Sequence, residues 1–181
     1  MSVNIIYFVH GTTTDNEKHK ATGQNPGELS ELGIKRCKEL INKINIKKID
    51  LVICSDLQRA KDSANYVFEG KKEIIYDNRL RECNYGELNG ADSSLVKYET
   101  HINVPFPKGE SLTDVEKRMR DFCQYLLENH NEKTVAIVAH KATQLALEVI
   151  INNNTWEKAI ESDWRKLKKW QPGWEYELKK I

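Results

Sequence analysis

Two histidines each close an apolar run at opposite ends of this chain. The first run is Tyr7-Phe8-Val9-His10, followed by Gly11-Thr12-Thr13; the second is Val135-Ala136-Ile137-Val138-Ala139-His140. Each reads as a buried strand with a histidine at its carboxyl end. In open α/β sheets, ligands bind outside the carboxyl ends of the strands. Two imidazoles delivered to one such edge can form a reactive pair. Near neutral pH an imidazole serves as nucleophile, acid, base or donor to an anion. A lone histidine at a strand end is more often structural, so the chemical reading depends on what else reaches that edge.

Several other segments supply suitable groups. Gly11 allows close backbone approach to an anion, Thr12, Thr13 and Thr14 carry hydroxyls, and Asn16 adds an amide. Leu51 to Ala60 reads as strand, turn and helix, with Ser55 or Asp56 as cap and Arg59 in the first turn. A cation at a helix start opposes the dipole, and is explained if it points to an anion held there; alone, a surface ion pair explains it better. In Asn78-Arg79-Leu80-Arg81-Glu82, Glu82 is either a general acid or part of an exposed ion-pair cluster. His140-Lys141 leads into a helix whose first N–H groups can face the same anion. Together these residues suit phosphoryl transfer through a phosphohistidine. His10 attacks phosphorus, Arg59 and His140 hold the oxygens, and Glu82 protonates the leaving oxygen, then activates water. This scheme needs no metal and no cofactor. The chain also lacks a P-loop, a G-x-G-x-x-G turn and an H-E-x-x-H helix.

The elements that must position these groups alternate. Strand-like runs cover Asn4–Val9, Leu51–Cys54, Glu73–Tyr76 and Thr134–Ala139. Between them lie a helix capped by Ser30 carrying Cys37, Leu40, Ile41 and Ile44, and another from Leu57 to Phe68. A third, capped by Ser111 or Thr113, carries Val115, Met119, Phe122, Leu126 and Leu127, and a fourth runs from Ala142 to Ile151. This order predicts an α/β layered domain with a largely parallel sheet. Residues 83 to 110 are irregular and read as specificity loops or a small lid. Gln171-Pro172-Gly173 marks a turn, after which Trp174–Leu178 is an edge strand or a packed tail.

At 181 residues the chain is expected to form one domain with a sizeable core. A net charge of +1 gives no reason to expect nucleic acid or an anionic membrane as partner. Lys166-Leu167-Lys168-Lys169 reads as a solvated helix end. Cys37, Cys54, Cys83 and Cys123 form no C-x-x-C pair, and Cys37 and Cys54 fall on core positions. No signal peptide or membrane-length apolar run is visible, and a reduced cytoplasmic compartment fits. Trp156, Trp164, Trp170 and Trp174 make the tail aromatic, as in a partner-binding patch or, more commonly, in core or lid residues.

From Ile5 to about Ile151 the chain resembles the histidine phosphatase superfamily, in the phosphoglycerate mutase-like branch. Phe8-Val9-His10-Gly11-Thr12-Thr13 with Asn16 resembles the R-H-G-E-T segment and its downstream Asn. Leu29-Ser30-Glu31-Leu32-Gly33 resembles L-T-E-x-G, and Cys54 to Ala60 resembles S-S-D-L-x-R-A. Leu80-Arg81-Glu82 with Tyr85-Gly86-Glu87 and Gly90, Gly109-Glu110-Ser111, and Val138-Ala139-His140 follow in the family's order. The resemblance implies a three-layer α/β/α sandwich with a mixed sheet. It also implies His10 as the phosphorylated nucleophile and Glu82 as proton donor, with Arg59, His140, Asn16 and Thr13 at the phosphate. The chain has no room for the long insertions of the mutases, which favours a compact phosphatase of small phosphorylated substrates. One position departs: the family carries a phosphate-binding Arg where this chain has Val9. Losing one such donor costs about 2.7–4 kcal/mol in a transition state. Lys141, Arg79 and Arg81 are the candidates to replace it. The alternatives are a weak or inactive site that binds a phosphorylated ligand or partner, and a phosphomutase.

Overall fold

The computed structural model of the protein describes residues 1–166 and 173–179. Its centre is a five-stranded sheet: β1 (Val3–Val9), β2 (Leu51–Cys54), β3 (Ile74–Tyr76), β4 (Thr134–Ala139) and β5 (Trp174–Leu178). The spatial order is β3-β2-β4-β1-β5. The first four strands run parallel, and β5 pairs antiparallel with β1 along the edge. Their near-continuous apolar runs reflect burial on both faces. Val3, Ile5 and Tyr7 enter one core, whereas Phe8 enters the other.

Helices cover both faces. α2 (Glu31–Leu40) and α3 (Gln58–Phe68) pack Cys37, Ala60, Ala64 and Phe68 against Phe8, Val52 and Val138. α4 (Leu112–Asn129), α5 (Lys141–Ile151) and α6 (Trp156–Glu161) pack Met119, Phe122, Leu145 and Ile160 against Ile5, Tyr7 and Ile137. A single short turn, α1 (Thr14–Glu17), follows the loop after β1. This is the expected three-layer α/β/α sandwich with a mixed, largely parallel sheet.

Register explains how the site is assembled. β1 and β4 pair from Asn4↔Thr134 to Val9↔Ala139, so the next residues, His10 and His140, leave the sheet side by side. The His10 N–H extends the ladder to the Ala139 carbonyl at 3.0 Å.

Local signals hold with three adjustments. Ser30 caps α2, and Ser111 forms a capping box with Asp114. α2 stops at Leu40, yet Ile41 and Ile44 in the turn that follows still pack on its core. The third strand begins at Ile74 rather than Glu73. α3 is capped by neither Ser55 nor Asp56; Leu57 takes the N-cap position without a side-chain bond. Both expected caps are engaged elsewhere, Ser55 with His140 and Asp56 with Arg81.

Residues 83–110 form three short 3-10 turns and bury Tyr85, Tyr98 and Phe106. The Glu110 N–H donates to the Asn84 carbonyl, pinning the two ends together. All four cysteines are buried and free. Gln171-Pro172, Trp170 and Leu167 to Lys169 lie outside the described residues. Among the described residues no helix is long and apolar enough to cross a membrane.

Gly33 sets the distance between α2 and the loop after His10. A Cβ there would lie 2.0 Å from the Thr12 carbonyl oxygen, a backbone atom that cannot swing aside. Gly33→Ala is expected to lower stability by about 1–3 kcal/mol, read as a shift of the urea midpoint.

Candidate active site

His10 is held in one tautomer. Its Nδ1 lies 2.7 Å from the Gly11 carbonyl oxygen, which can only accept, so the proton sits on Nδ1. Nε2 is left with its lone pair and accepts from Arg59 Nε at 3.2 Å. The ring lines a cavity on one side and is enclosed by protein on the others. Lost hydration, reinforced by the charge of Arg59 and more weakly by Arg165, pulls its pKa down to about 3, against the opposing Gly11 bond. The imidazole is therefore neutral at physiological pH.

Arg59 lies in the first turn of α3 and is 1 % exposed. A cation there works against the helix dipole. Carbonyl groups offset this: Nη1 donates to Asn25 O at 2.8 Å and Nη2 to Gly23 O at 2.7 Å. Nη2 also stands 3.2 Å from Nδ1 of His140, so one guanidinium touches both imidazoles. With Nδ1 accepting from Arg59, the His140 proton sits on Nε2 and is donated to Ser55 Oγ at 2.8 Å. The two rings are 5.1 Å apart, centre to centre. His140 is completely buried, and that burial, then Arg59 and His10, holds its pKa well below the usual imidazole range. Tyr7 clamps its backbone: the hydroxyl donates to the His140 carbonyl at 2.7 Å and accepts from its N–H at 3.0 Å.

Glu82 comes from the loop after β3 and meets the start of α5. Oε1 accepts from the N–H groups of Cys83 (2.8 Å) and Ala142 (3.1 Å), and Oε2 from that of Lys141 (3.2 Å). The first N–H groups of α5 therefore face Glu82, not an open anion site as expected. Tyr98 adds a longer bond to Oε1 at 3.4 Å. Arg118 steadies the loop by donating to the Glu82 carbonyl at 3.2 Å and pairing with Glu110 at 3.0 Å.

These groups share one cavity of about 450 Å³, lined by His10, Gly11, Asn16, Arg59, Glu82 and Lys141 among others. His140 sits directly behind it, reaching the site through Arg59. Thr13 does not line it. It is fully buried, and its hydroxyl accepts from the Asn16 N–H while Asn16 Oδ1 accepts from the Thr13 N–H, so Thr13 orients Asn16. Gly11 does line the cavity, but its N–H is donated to Ser63, and a Cβ there would collide with Cys37 Sγ at 2.9 Å. Its small size therefore serves packing on α2. Arg79 is tied to Asp77 and stacks on Tyr125, and Arg81 pairs with Asp56; neither lines the cavity. Lys141 does, with Nζ 3.2 Å from Asp163 and 4.5 Å over the Tyr98 ring. Sequence reasoning missed Ser55 as the partner of His140, Arg118 as the prop of the Glu82 loop, and Arg165 with Trp164 on the cavity wall. An isolated arginine beyond the last helix of the recognisable pattern carries no local signal of such a place.

The family model for the histidine phosphatase superfamily (branch 1) matches residues 6–173. The chain belongs to that superfamily. Among its relatives, fructose-2,6-bisphosphatase TIGAR of Xenopus tropicalis is 35% identical over 65% of this chain, which spans 47% of that longer protein. A putative phosphoserine phosphatase 2 of Hydrogenobacter thermophilus is 29% identical over 78% of this chain and 75% of its own. The structure of a mycobacterial glucosyl-3-phosphoglycerate phosphatase with VO3 superposes with a TM-score of 0.77 at 26% identity, covering 86% of this chain and 85% of that one.

The two depressed imidazoles make stability depend on pH with a definite sign. Below about pH 6.5 the unfolded chain takes up protons that the folded histidine phosphatase refuses at His10 and His140. Acidification therefore destabilises the fold by about 1.4 kcal/mol per pH unit for each imidazole, continuing for His10 down to about pH 3. Urea unfolding at pH 7.5 and 5.5 checks this. His10→Gln is expected to remove one proton's worth of the slope; an unaltered slope would contradict the assignment.

Proposed function

We propose that this protein is a phosphatase that hydrolyses a small phosphomonoester through a phosphohistidine on His10. The observation that carries this reading is that His10 Nε2 is unprotonated, its lone pair accepting only from Arg59 Nε, on a ring that lines a cavity also holding Arg59 and Glu82. In the first step, with Glu82 entering as the carboxylic acid, Nε2 attacks phosphorus, the P–O ester bond breaks, and the carboxyl proton passes to the leaving oxygen to leave the Glu82 carboxylate. In the second, Glu82 takes a proton from water as the water oxygen attacks phosphorus. The N–P bond breaks and its electron pair returns to Nε2. Arg59, Asn16 and Lys141 hold the phosphoryl oxygens. An arriving dianion draws the Arg59 donors away from the imidazoles and favours a protonated His140, which then donates as well.

The phosphatases among the relatives support a hydrolase, and no step calls for a metal. Lys20 and Arg36 on the cavity wall favour substrates with a further anionic group. Residues 83–110 act as lid and specificity loops, since Tyr85, Val96 and Tyr98 wall the cavity beside Glu82. We place the activity in one domain spanning residues 1–181 and in the cytoplasm, where free buried thiols fit a reducing compartment.

Hydrolysis of a phosphomonoester panel with excess chelator tests the scheme. His10→Ala is expected to abolish turnover and the acid-labile phosphoenzyme trapped from labelled substrate. Hydrolysis that survives in His10→Ala would refute it, and phosphate binding without turnover would favour a binding protein. Phosphoryl return to a second hydroxyl would mark a mutase. Glu82→Gln should lower kcat/KM on alkyl phosphates by about 10²–10⁴. On nitrophenyl phosphate, whose leaving group needs little protonation, the loss should be much smaller.

A further inference from the structure

We propose that Arg165 is a phosphate-binding residue of this site, supplying from the C-terminal segment the cation absent at position 9. The inference rests on the phosphate-binding reading of the cavity and goes beyond it in naming a residue outside the recognisable motifs.

Position and restraint both argue for it. Arg165 lines the same cavity as Val9, His10 and Glu82. Side chains alternate along a strand, so Val9 projects on the same face of β1 as Tyr7. Across from Tyr7 in the antiparallel register stands Trp174, whose ring meets the Tyr7 ring edge-on at 6.2 Å. The Arg165 guanidinium lies 5.8 Å from the Trp174 ring and 4.8 Å from that of Trp164. It is therefore held on the face of β1 from which an arginine at position 9 would project. Its charge is close enough to His10 to act on that imidazole.

The side chain is only partly used by its own surroundings. Nη1 pairs with Asp163 Oδ1 at 2.7 Å. Among the described residues, Nη2 is buried without a hydrogen-bond partner. A buried N–H left unpaired is costly, and a phosphoryl oxygen in the cavity that Arg165 lines would satisfy it. Asp163, itself 3 % exposed, sits between Arg165 and Lys141, 3.2 Å from Lys141 Nζ, and holds both cations at the cavity. Lys141 brings charge alone, whereas Arg165 brings charge and a planar fork. Arg79 and Arg81 are committed to Asp77 and Asp56.

The test is Arg165→Gln, with Arg165→Lys and the double variant Val9→Arg/Arg165→Gln. Two readings are taken: kcat/KM on a phosphomonoester and the Kd for orthovanadate. Arg165→Gln is expected to lower kcat/KM about 10²–10³-fold and to weaken vanadate in the same direction. Restoring the cation at position 9 should recover at least about tenfold of that loss, which a merely structural role for Arg165 would not predict. Should Arg165→Gln fail to fold, Arg165→Lys decides: it keeps the charge and packing but should still lose activity and vanadate affinity. Wild-type values within about threefold in a folded Gln or Lys variant would overturn the proposal, as would wild-type protein that binds no vanadate. Wild type that binds vanadate but hydrolyses nothing would sink the phosphatase reading alone, and the vanadate Kd of Arg165→Gln would still decide this one.

Discussion

A single buried guanidinium organises this molecule. Arg59 leaves water almost completely, and an unpaired charge there would cost several kcal/mol. Its donors go to the carbonyls of Gly23, Asn25 and Pro26 and to both imidazoles. Each of these partners is fixed in return. The loop around Gly23 to Pro26 is drawn over the site, His10 is held with its lone pair forward, and His140 is held with its proton toward Ser55. Burial keeps the imidazoles neutral, and the charge that reinforces it is the same charge that a phosphoryl group would need.

Precision comes from the sheet. Parallel pairing of β1 with β4 brings two chain positions, far apart in sequence, to adjacent places on one rigid edge. Tyr7 then ties the His140 backbone to β1 from within the core. The helices complete the arrangement without adding flexible arms: α3 delivers Arg59 in its first turn, and α5 opens with N–H groups that receive Glu82. Groups placed by strand ends and helix starts keep their spacing better than groups on free loops.

The C-terminal segment closes the remaining side. β5 adds an edge strand beside β1, and Trp164 and Arg165, just after α6, line the cavity. Asp163 sits between two cations there and neutralises only one of their two charges. The cavity wall consequently carries more positive than negative side chains, Lys20, Arg36, Arg59, Lys141 and Arg165 against Glu82. Like charges brought close together repel, and an anion among them would relieve that repulsion.

Local chemistry was enough to read much of this in the sequence. Apolar runs of strand length, helical spacing around Cys37 or Met119, and caps such as Ser30 and Ser111 act over a few residues, so β1, β2, β4 and the main helices were legible. So was the convergence of His10, Arg59, Glu82 and His140, since three of them sit at the end of such an element and Glu82 follows in the loop after β3. What remained hidden depended on contacts between distant segments. Thr13 turned inward to cap a helical turn, the α5 N–H groups were taken by Glu82, and Arg79 and Arg81 found carboxylates away from the cavity. Arg165 meets the cavity beside Asp163, Trp164 and, from β5 folded back along β1, Trp174. A side chain's partner is set by three-dimensional proximity and by which competing charge is nearer, and neither quantity is encoded in local spacing.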